Sequence, residues 1–188
     1  TKITYIKHGF TFLGQTFRKH GNSLHITPSK EGVLALMRNV GTLIRQYTSA
    51  PLFLLVKKLN ELLRGWANYH RHVVASDAFK RVDNYVYEQL WRMLHRRHRH
   101  KSSQWLYKKY WMASGKKWVL TVLHKAYGKT RQYPIIRVSH IGIKRYRKIK
   151  AEANPYMPEY GLYFWRRRHI KEAKLLSAPT ARQMRLAL

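Results

Sequence analysis

The sequence predicts a mainly α protein: an N-terminal β-hairpin, a three-helix bundle, then a small basic C-terminal region of mixed α+β and irregular structure. Three observations carry this expectation. From Val33 to Leu94 apolar residues recur at three- and four-residue steps, the spacing of one helix face. Before that stretch, phenylalanines and threonines cluster between glycines, as in short strands. After Lys101 the helical spacing gives way to short β-rich runs and a tract dense in Lys, Arg and Tyr. Apolar residues make up 45% of the chain, which supplies a core and argues against intrinsic disorder.

In residues 5–17, Phe10, Phe12 and Phe17 with Ile6, Leu13, Thr11 and Thr16 favour strand, and Gly9 and Gly14 mark bends. HGNS at 20–23 is a turn signal, and Leu24 to Ile26 return as a second strand. Thr27-Pro28 reads as a helix N-cap followed by proline in the first turn. Val33, Leu36, Met37, Val40, Leu43, Ile44 and Tyr47 form the face of the first helix, which Pro51 closes. Leu52, Leu55, Leu59, Leu62, Leu63 and Trp66 form that of the second. Ser76 or Asp77 caps a third helix, with Phe79, Val82, Val86, Leu90, Met93 and Leu94 inward. Three amphipathic helices with short joints imply a bundle. Residues 102–111, with Trp105, Leu106, Tyr110 and Trp111, read as a short fourth helix. Beyond Gly115, Trp118 to Leu123 and then Ile135, Ile136 and Val138 read as short strands. Pro155 and Pro158 preclude one continuous helix through the basic tract that follows. The change of pattern near residue 112 divides the chain into 1–27, 28–111 and 112–188.

Charge narrows the function. The chain has 38 Lys and Arg against 8 Asp and Glu, a formal net charge of +30. A compact domain so charged repels itself, and an anionic polymer relieves the repulsion; nucleic acid is the leading partner. The basic residues are spread over the whole chain, which argues against a membrane-surface protein. The best apolar run, Leu52 to Val56, falls far short of the roughly 18 residues a membrane-spanning helix needs. The N-terminus lacks a signal-peptide layout and opens without Met, as a fragment would. The chain has no cysteine, which excludes disulfides and thiolate zinc sites within it and fits a reducing compartment.

No catalytic centre, metal site or cofactor is expected. Mg²⁺ chemistry needs carboxylates held close together, whereas no two acids here are adjacent in sequence. Asp77 reads as a helix cap, and Asp83 and Glu88 as partners in solvated ion pairs. No Gly-Lys-Ser/Thr phosphate loop occurs. His95 and His98 have helical ligand spacing, but Arg96, Arg97, Arg99 and Lys101 crowd them with positive charge. Phosphate contact by Arg forks and partly protonated imidazoles suits that tract better. Cations also alternate with flat rings: Trp66, Tyr69, His70 and Arg71; Trp105, Tyr107, Lys108, Lys109, Tyr110 and Trp111; Lys144, Arg145, Tyr146, Arg147, Lys148 and Lys150; Tyr163, Trp165 and Arg166 to Arg168. Rings stack on unpaired bases while cations neutralise phosphate, which favours structured or single-stranded RNA over uniform duplex. Trp66 and Trp91 read as core; Tyr107 and Tyr146 suit core and ligand equally.

Residues 59–111 resemble the maturase-specific region of group II intron-encoded proteins, most tellingly in RGWANYH at 64–70, the spacing through Phe79, Val82 and Asp83, HRRHRHKS at 95–102 and KKYW at 108–111. GFTFLGQTFRK at 9–19 resembles the last block of those proteins' reverse transcriptase, at the end of the palm. IKAEANPYMPEYGLYFWRRR at 149–168 resembles the DNA-binding stretch that precedes a cysteine-containing HNH endonuclease in many members. The resemblance implies a thumb-like bundle, domain X, that grips intron RNA and promotes splicing, flanked by an end-of-palm remnant and a basic DNA- or RNA-binding region. The palm motif Tyr-X-Asp-Asp and the endonuclease cysteines are missing from this sequence, so neither polymerisation nor cleavage is expected of it.

Carried onto this chain, the resemblance implies RNA contacts at Arg64, Arg71, Arg96, Arg97, Lys101, Lys108 and Lys109. It implies contacts to target DNA or further RNA at Arg145, Arg147, Lys148, Arg166, Arg167 and Arg168. Trp66 and Asn68 serve the fold as much as the ligand. The expected partner is group II intron RNA, with target DNA and a separate palm and fingers polypeptide as further partners and no membrane. Such a ribonucleoprotein belongs in the bacterial cytoplasm, or alternatively in an organellar matrix. Two functions follow: a non-enzymatic splicing module, or the thumb and DNA-binding part of a reverse transcriptase that works only with a separate palm. A ribosomal-type structural RNA-binder is a third class, against which RGWANYH argues.

Overall fold

A computed structural model describes residues 3–114, 117–144 and 149–168. The chain forms two compact units, Thr1–Tyr146 and Arg147–Leu188. The first opens with an antiparallel meander, β1 (Phe10–Phe12), β2 (Gln15–His20) and β3 (Ser23–Pro28), with β2 in the centre. The expected hairpin is thus three strands. The extra turn falls at Leu13-Gly14, where both φ angles are positive (48° and 72°) between the paired residues Phe12 and Gln15. Such a two-residue turn matches the twist of the flanking strands, at the cost of strain at Leu13.

Helices α1 (Lys30–Gln46), α2 (Leu52–His70) and α3 (Ser76–Arg97) form the bundle. The six residues expected inward on α3 are all buried. The faces of α1 and α2 are also as expected, with Gly41, Val56, Ala67 and His70 added and with Met37, Leu43, Tyr47, Leu62 and Trp66 partly buried at their margins. Burying each large apolar side chain contributes roughly 1.5–3 kcal/mol, so this face is the main source of cohesion.

The helix ends differ from expectation. Pro28 closes β3, paired with Gln15 at the sheet edge, and α1 is capped by the next residue, Ser29, whose Oγ accepts from Gly32 N at 3.0 Å. Pro51 does not close α1, which ends at Gln46; it is the N-cap of α2. Ala75 precedes α3 with no side-chain cap, so neither Ser76 nor Asp77 caps it, although Asp77 favours the positive end of the helix dipole.

Helix α4 (Ser103–Tyr110), capped by Ser102, runs directly into β4 (Trp111–Ser114), which pairs with β5 (Lys117–Ala126) and then β6 (Lys129–Pro134) in a second antiparallel sheet. The change of pattern near residue 112 is therefore a change from helix to sheet inside one unit. Leu120, Val122 and Val138 share the core cluster with the bundle, and Phe53 of α2 stacks on His124 of β5 with ring centroids 3.8 Å apart.

Ile135, Ile136 and Val138 do not form the short strands that the sequence predicts. Proline has no N–H to extend the ladder, and β6 ends at Pro134. Asn60 of α2 then takes over: its Nδ2 donates to Pro134 O and its Oδ1 accepts from Ile136 N, both at 2.8 Å. Asp83 of α3 follows, accepting from Val138 N at 2.7 Å and Ser139 N at 3.0 Å. Val138–His140 is thereby a 3₁₀ turn. Asp83 is an anchor for this turn, not the solvated ion-pair partner expected.

Within the second unit, Pro158–Tyr160 form a 3₁₀ turn and α5 spans Gly161–Arg168, with Lys150 N donating to Tyr163 Oη at 3.1 Å. The break at the prolines is as expected.

Candidate nucleic-acid interface

The turn between α3 and α4 gathers cations around one indole. Lys109 Nζ lies 4.6 Å from the Trp105 ring centroid and Lys101 Nζ 5.6 Å from it. Helical spacing from Trp105 to Lys109, one turn apart, puts the second ammonium over the ring; the Ser102 cap, accepting from Trp105 N at 3.2 Å, fixes the start of that helix. Beneath, His98 closes α3, its ring 5.2 Å from Trp105, and His98 Nε2 and Tyr110 Oη share a hydrogen bond of 2.8 Å. Two ammonium groups on a half-buried indole make a surface that takes phosphate and offers a ring for stacking.

Burial, reinforced by Lys109, Arg97 and Lys101, holds the His98 imidazole below its ordinary pKa. Burial pushes the Tyr110 phenol up, against the opposing pull of Arg97. The His98 ring is thus biased toward its neutral form and, hydrogen-bonded to Tyr110, supports Trp105 from below. His95 is engaged separately, edge-on to Trp91 with centroids 4.8 Å apart.

The other candidate residues divide by surroundings. Arg96 is exposed and lines a groove of about 530 Å³ between α1 and α3 together with Arg45 and Arg92. Arg64 is exposed on α2 and Lys108 on α4. Arg71 is half-buried at the end of α2, with Nη1 3.4 Å from Asn68 Oδ1 and its carbonyl accepting from Lys144 N at 2.8 Å. Arg97 turns inward: Nε donates to Thr48 O at 2.7 Å, and Nη2 to Tyr47 O and Ala50 O. It holds the loop after α1 and so serves the scaffold. Arg145, Arg147 and Lys148 lie outside the described residues, as does Tyr146. Arg166, Arg167 and Arg168 form the last turn of α5, with Arg166 and Arg168 exposed and Arg167 half-buried and engaged. Cations suit that helix end.

RGWANYH proves largely structural. Tyr69 Oη donates to Leu13 O at 2.7 Å, just beyond it His72 Nε2 meets Gln15 Nε2 at 3.1 Å, and Val74 N donates to Ile26 O at 2.9 Å, so this segment holds the N-terminal sheet. Trp66 packs on Phe79, centroids 5.6 Å apart. His70 is only 3% exposed, and its Nδ1 is buried with no hydrogen-bond partner among the described residues. Burial, with His72 adding to it, lowers its pKa to about 4. Folding therefore favours the neutral ring. Its contribution is fully present above the ordinary pKa of 6.5 and is lost as pH falls from there toward 4. The expected loss is about 2–3 kcal/mol. Urea unfolding at pH 7.5 and 4.5 measures it, and His70→Gln should flatten the slope; an equal slope in both proteins would refute the assignment.

The family model for the group II intron maturase-specific domain matches residues 33–111, from Val33 in α1 to Trp111 at the start of β4. This stretch is therefore similar to a group II intron maturase-specific domain, and the Trp105 platform lies inside the match. The flanking blocks at 9–19 and 149–168 lie outside the match. The chain is also 23% identical over 126 residues to the Ribosomal operon-associated A protein of Euglena longa, across 66% of this chain and 24% of that protein. It thus spans about a quarter of that relative's length.

Proposed function

We propose that this chain is an RNA-binding maturase module that assists group II intron splicing by gripping the intron RNA, without a polymerase or endonuclease centre of its own. The observation that carries the reading is the convergence of Lys101 and Lys109 on Trp105, in a domain matched to the maturase-specific family. Phosphates bind the ammoniums and an unpaired base binds the ring, which suits a folded RNA with exposed loops. The bundle and second sheet share one core, so the platform stands on a rigid base. Arg166 and Arg168 are proposed as contacts to target DNA or further RNA.

The test is binding to the intron RNA nearest its coding frame against an unrelated structured RNA, titrated over salt. Phosphate contact alone, at six to ten phosphates, loses about 10³–10⁵ in affinity between ~50 and ~200 mM salt. Preference for the intron that survives at the higher salt is expected. Equal binding that fades together would reduce the protein to a nonspecific polycation.

A second reading has its own support. Phe10, Phe12 and Leu13 are exposed on the β1–β2 hairpin, and β1 is an edge strand. An exposed apolar edge is suited to pairing with another sheet. On this reading the chain serves as the thumb and DNA-binding part of a reverse transcriptase whose palm and fingers come from elsewhere. Template-copying activity on mixing with a palm polypeptide would select it.

A further inference from the structure

Separate from the Trp105 platform, a cavity of about 300 Å³ opens between α3, α4 and the β4–β6 sheet. Its floor is apolar, with Val86, Leu90, Leu120 and Ile135 buried. Its wall is aromatic. Tyr107 lies parallel to Trp111, centroids 5.6 Å apart and planes 5° from parallel, and Tyr87 meets Trp111 edge-on at 5.7 Å. Trp111 is 5% exposed while Tyr87 and Tyr107 are 48% and 38% exposed, so the tyrosines border a space that solvent reaches. Asn84, exposed, and Arg137, half-buried, add polar groups to the lining.

Well-packed interiors have few voids larger than a water molecule, and an apolar cavity of about 150 Å³ already admits benzene. A cavity twice that size, walled by rings, fits a flat heteroaromatic group. The polar residues narrow the choice. An asparagine amide offers a donor and an acceptor together, as a base edge requires, and a guanidinium takes phosphate. Asp83 also borders the cavity, but both its oxygens already accept from backbone N–H groups of Val138 and Ser139. An aliphatic occupant would answer the floor and leave Asn84 and Arg137 without a role.

We propose that this cavity receives one unpaired nucleobase of the bound RNA, stacked against Tyr87 with its edge met by the Asn84 amide. The inference rests on the RNA-binding reading above and adds a base-specific site to it.

The test compares binding of the full chain to single-stranded oligo(A) and oligo(U) of about 12 nucleotides with binding to base-free polyphosphate of similar charge, at ~150 mM salt. Tyr87→Ala is expected to weaken oligonucleotide binding roughly 5- to 150-fold, the range for one lost base–aromatic stack. It should leave polyphosphate binding unchanged, and Tyr87→Phe should restore most of the loss. Asn84→Ala, at an exposed position, should change the oligo(A) to oligo(U) ratio. It decides the matter if Tyr87→Ala does not fold. Parallel loss on oligonucleotide and polyphosphate in Tyr87→Ala, or an unchanged base ratio in Asn84→Ala, would overturn the proposal. So would equal wild-type affinity for oligonucleotide and polyphosphate, whereas the functional reading is decided separately by intron preference in the salt titration.

Discussion

Arg97→Ala is expected to lower the unfolding free energy by about 2–4 kcal/mol while leaving the RNA affinity of the folded protein nearly unchanged. After α1 ends at Gln46, the carbonyls of Tyr47, Thr48 and Ala50 all accept from the Arg97 guanidinium. A net hydrogen bond to a charged group contributes about 1.5–3 kcal/mol, and water recovers part of it where carbonyls are accessible. Truncation removes three such bonds at once and frees the joint between α1 and α2. Arg97→Lys should recover only a fraction, because a single ammonium cannot span the planar fork's three acceptors. Urea unfolding gives the stability term and intron-RNA titration the affinity term. A variant of unchanged stability that had lost RNA binding would return Arg97 to the interface.

Arg97 also shows where sequence reading reaches its limit. In HRRHRHK every cation looks equally available, and the acceptors of Arg97 lie 47 to 50 residues upstream. Nothing local distinguishes it from Arg96. Asp83 is the same case: its carboxylate serves N–H groups 55 and 56 residues downstream, invisible to helix periodicity. The face of α3 was legible because burial there follows the 3.6-residue repeat, and Phe79 through Leu94 obey it. Caps were less so. Thr27-Pro28 carries a capping signature, but pairing of Pro28 with Gln15 extends the strand and hands the cap to Ser29. The cation–aromatic clustering around Trp105 was legible as composition, and only folding shows that Lys101 and Lys109, eight residues apart in sequence, meet on the same ring. Tyr87 and Asn84 carried no comparable signal. They line a cavity completed by a sheet edge that lies beyond residue 111 in the chain.

The Lys101→Gln/Lys109→Gln double variant is expected to lose roughly 100-fold in intron-RNA affinity at ~50 mM salt and roughly 10-fold at ~200 mM. Each phosphate contact contributes a salt slope of about 0.7–0.9, so losing two flattens the slope by about 1.5 and shrinks the deficit as salt rises. Folding should be unaffected, since both ammoniums are on exposed residues and substitutions there usually change stability by about 0.5 kcal/mol or less. The control is Lys125→Gln/Lys129→Gln on the β5–β6 hairpin, which removes the same charge from two other exposed positions. A general polycation would respond equally to both pairs, because only total charge would matter. A platform at Trp105 would respond to the first pair and barely to the second. Adding Trp105→Ala to the first pair should then cost a further factor that salt does not erase, because stacking of a base on the indole releases no counterions. If that third substitution changes only the salt-dependent part, Trp105 organises the lysines without receiving a base.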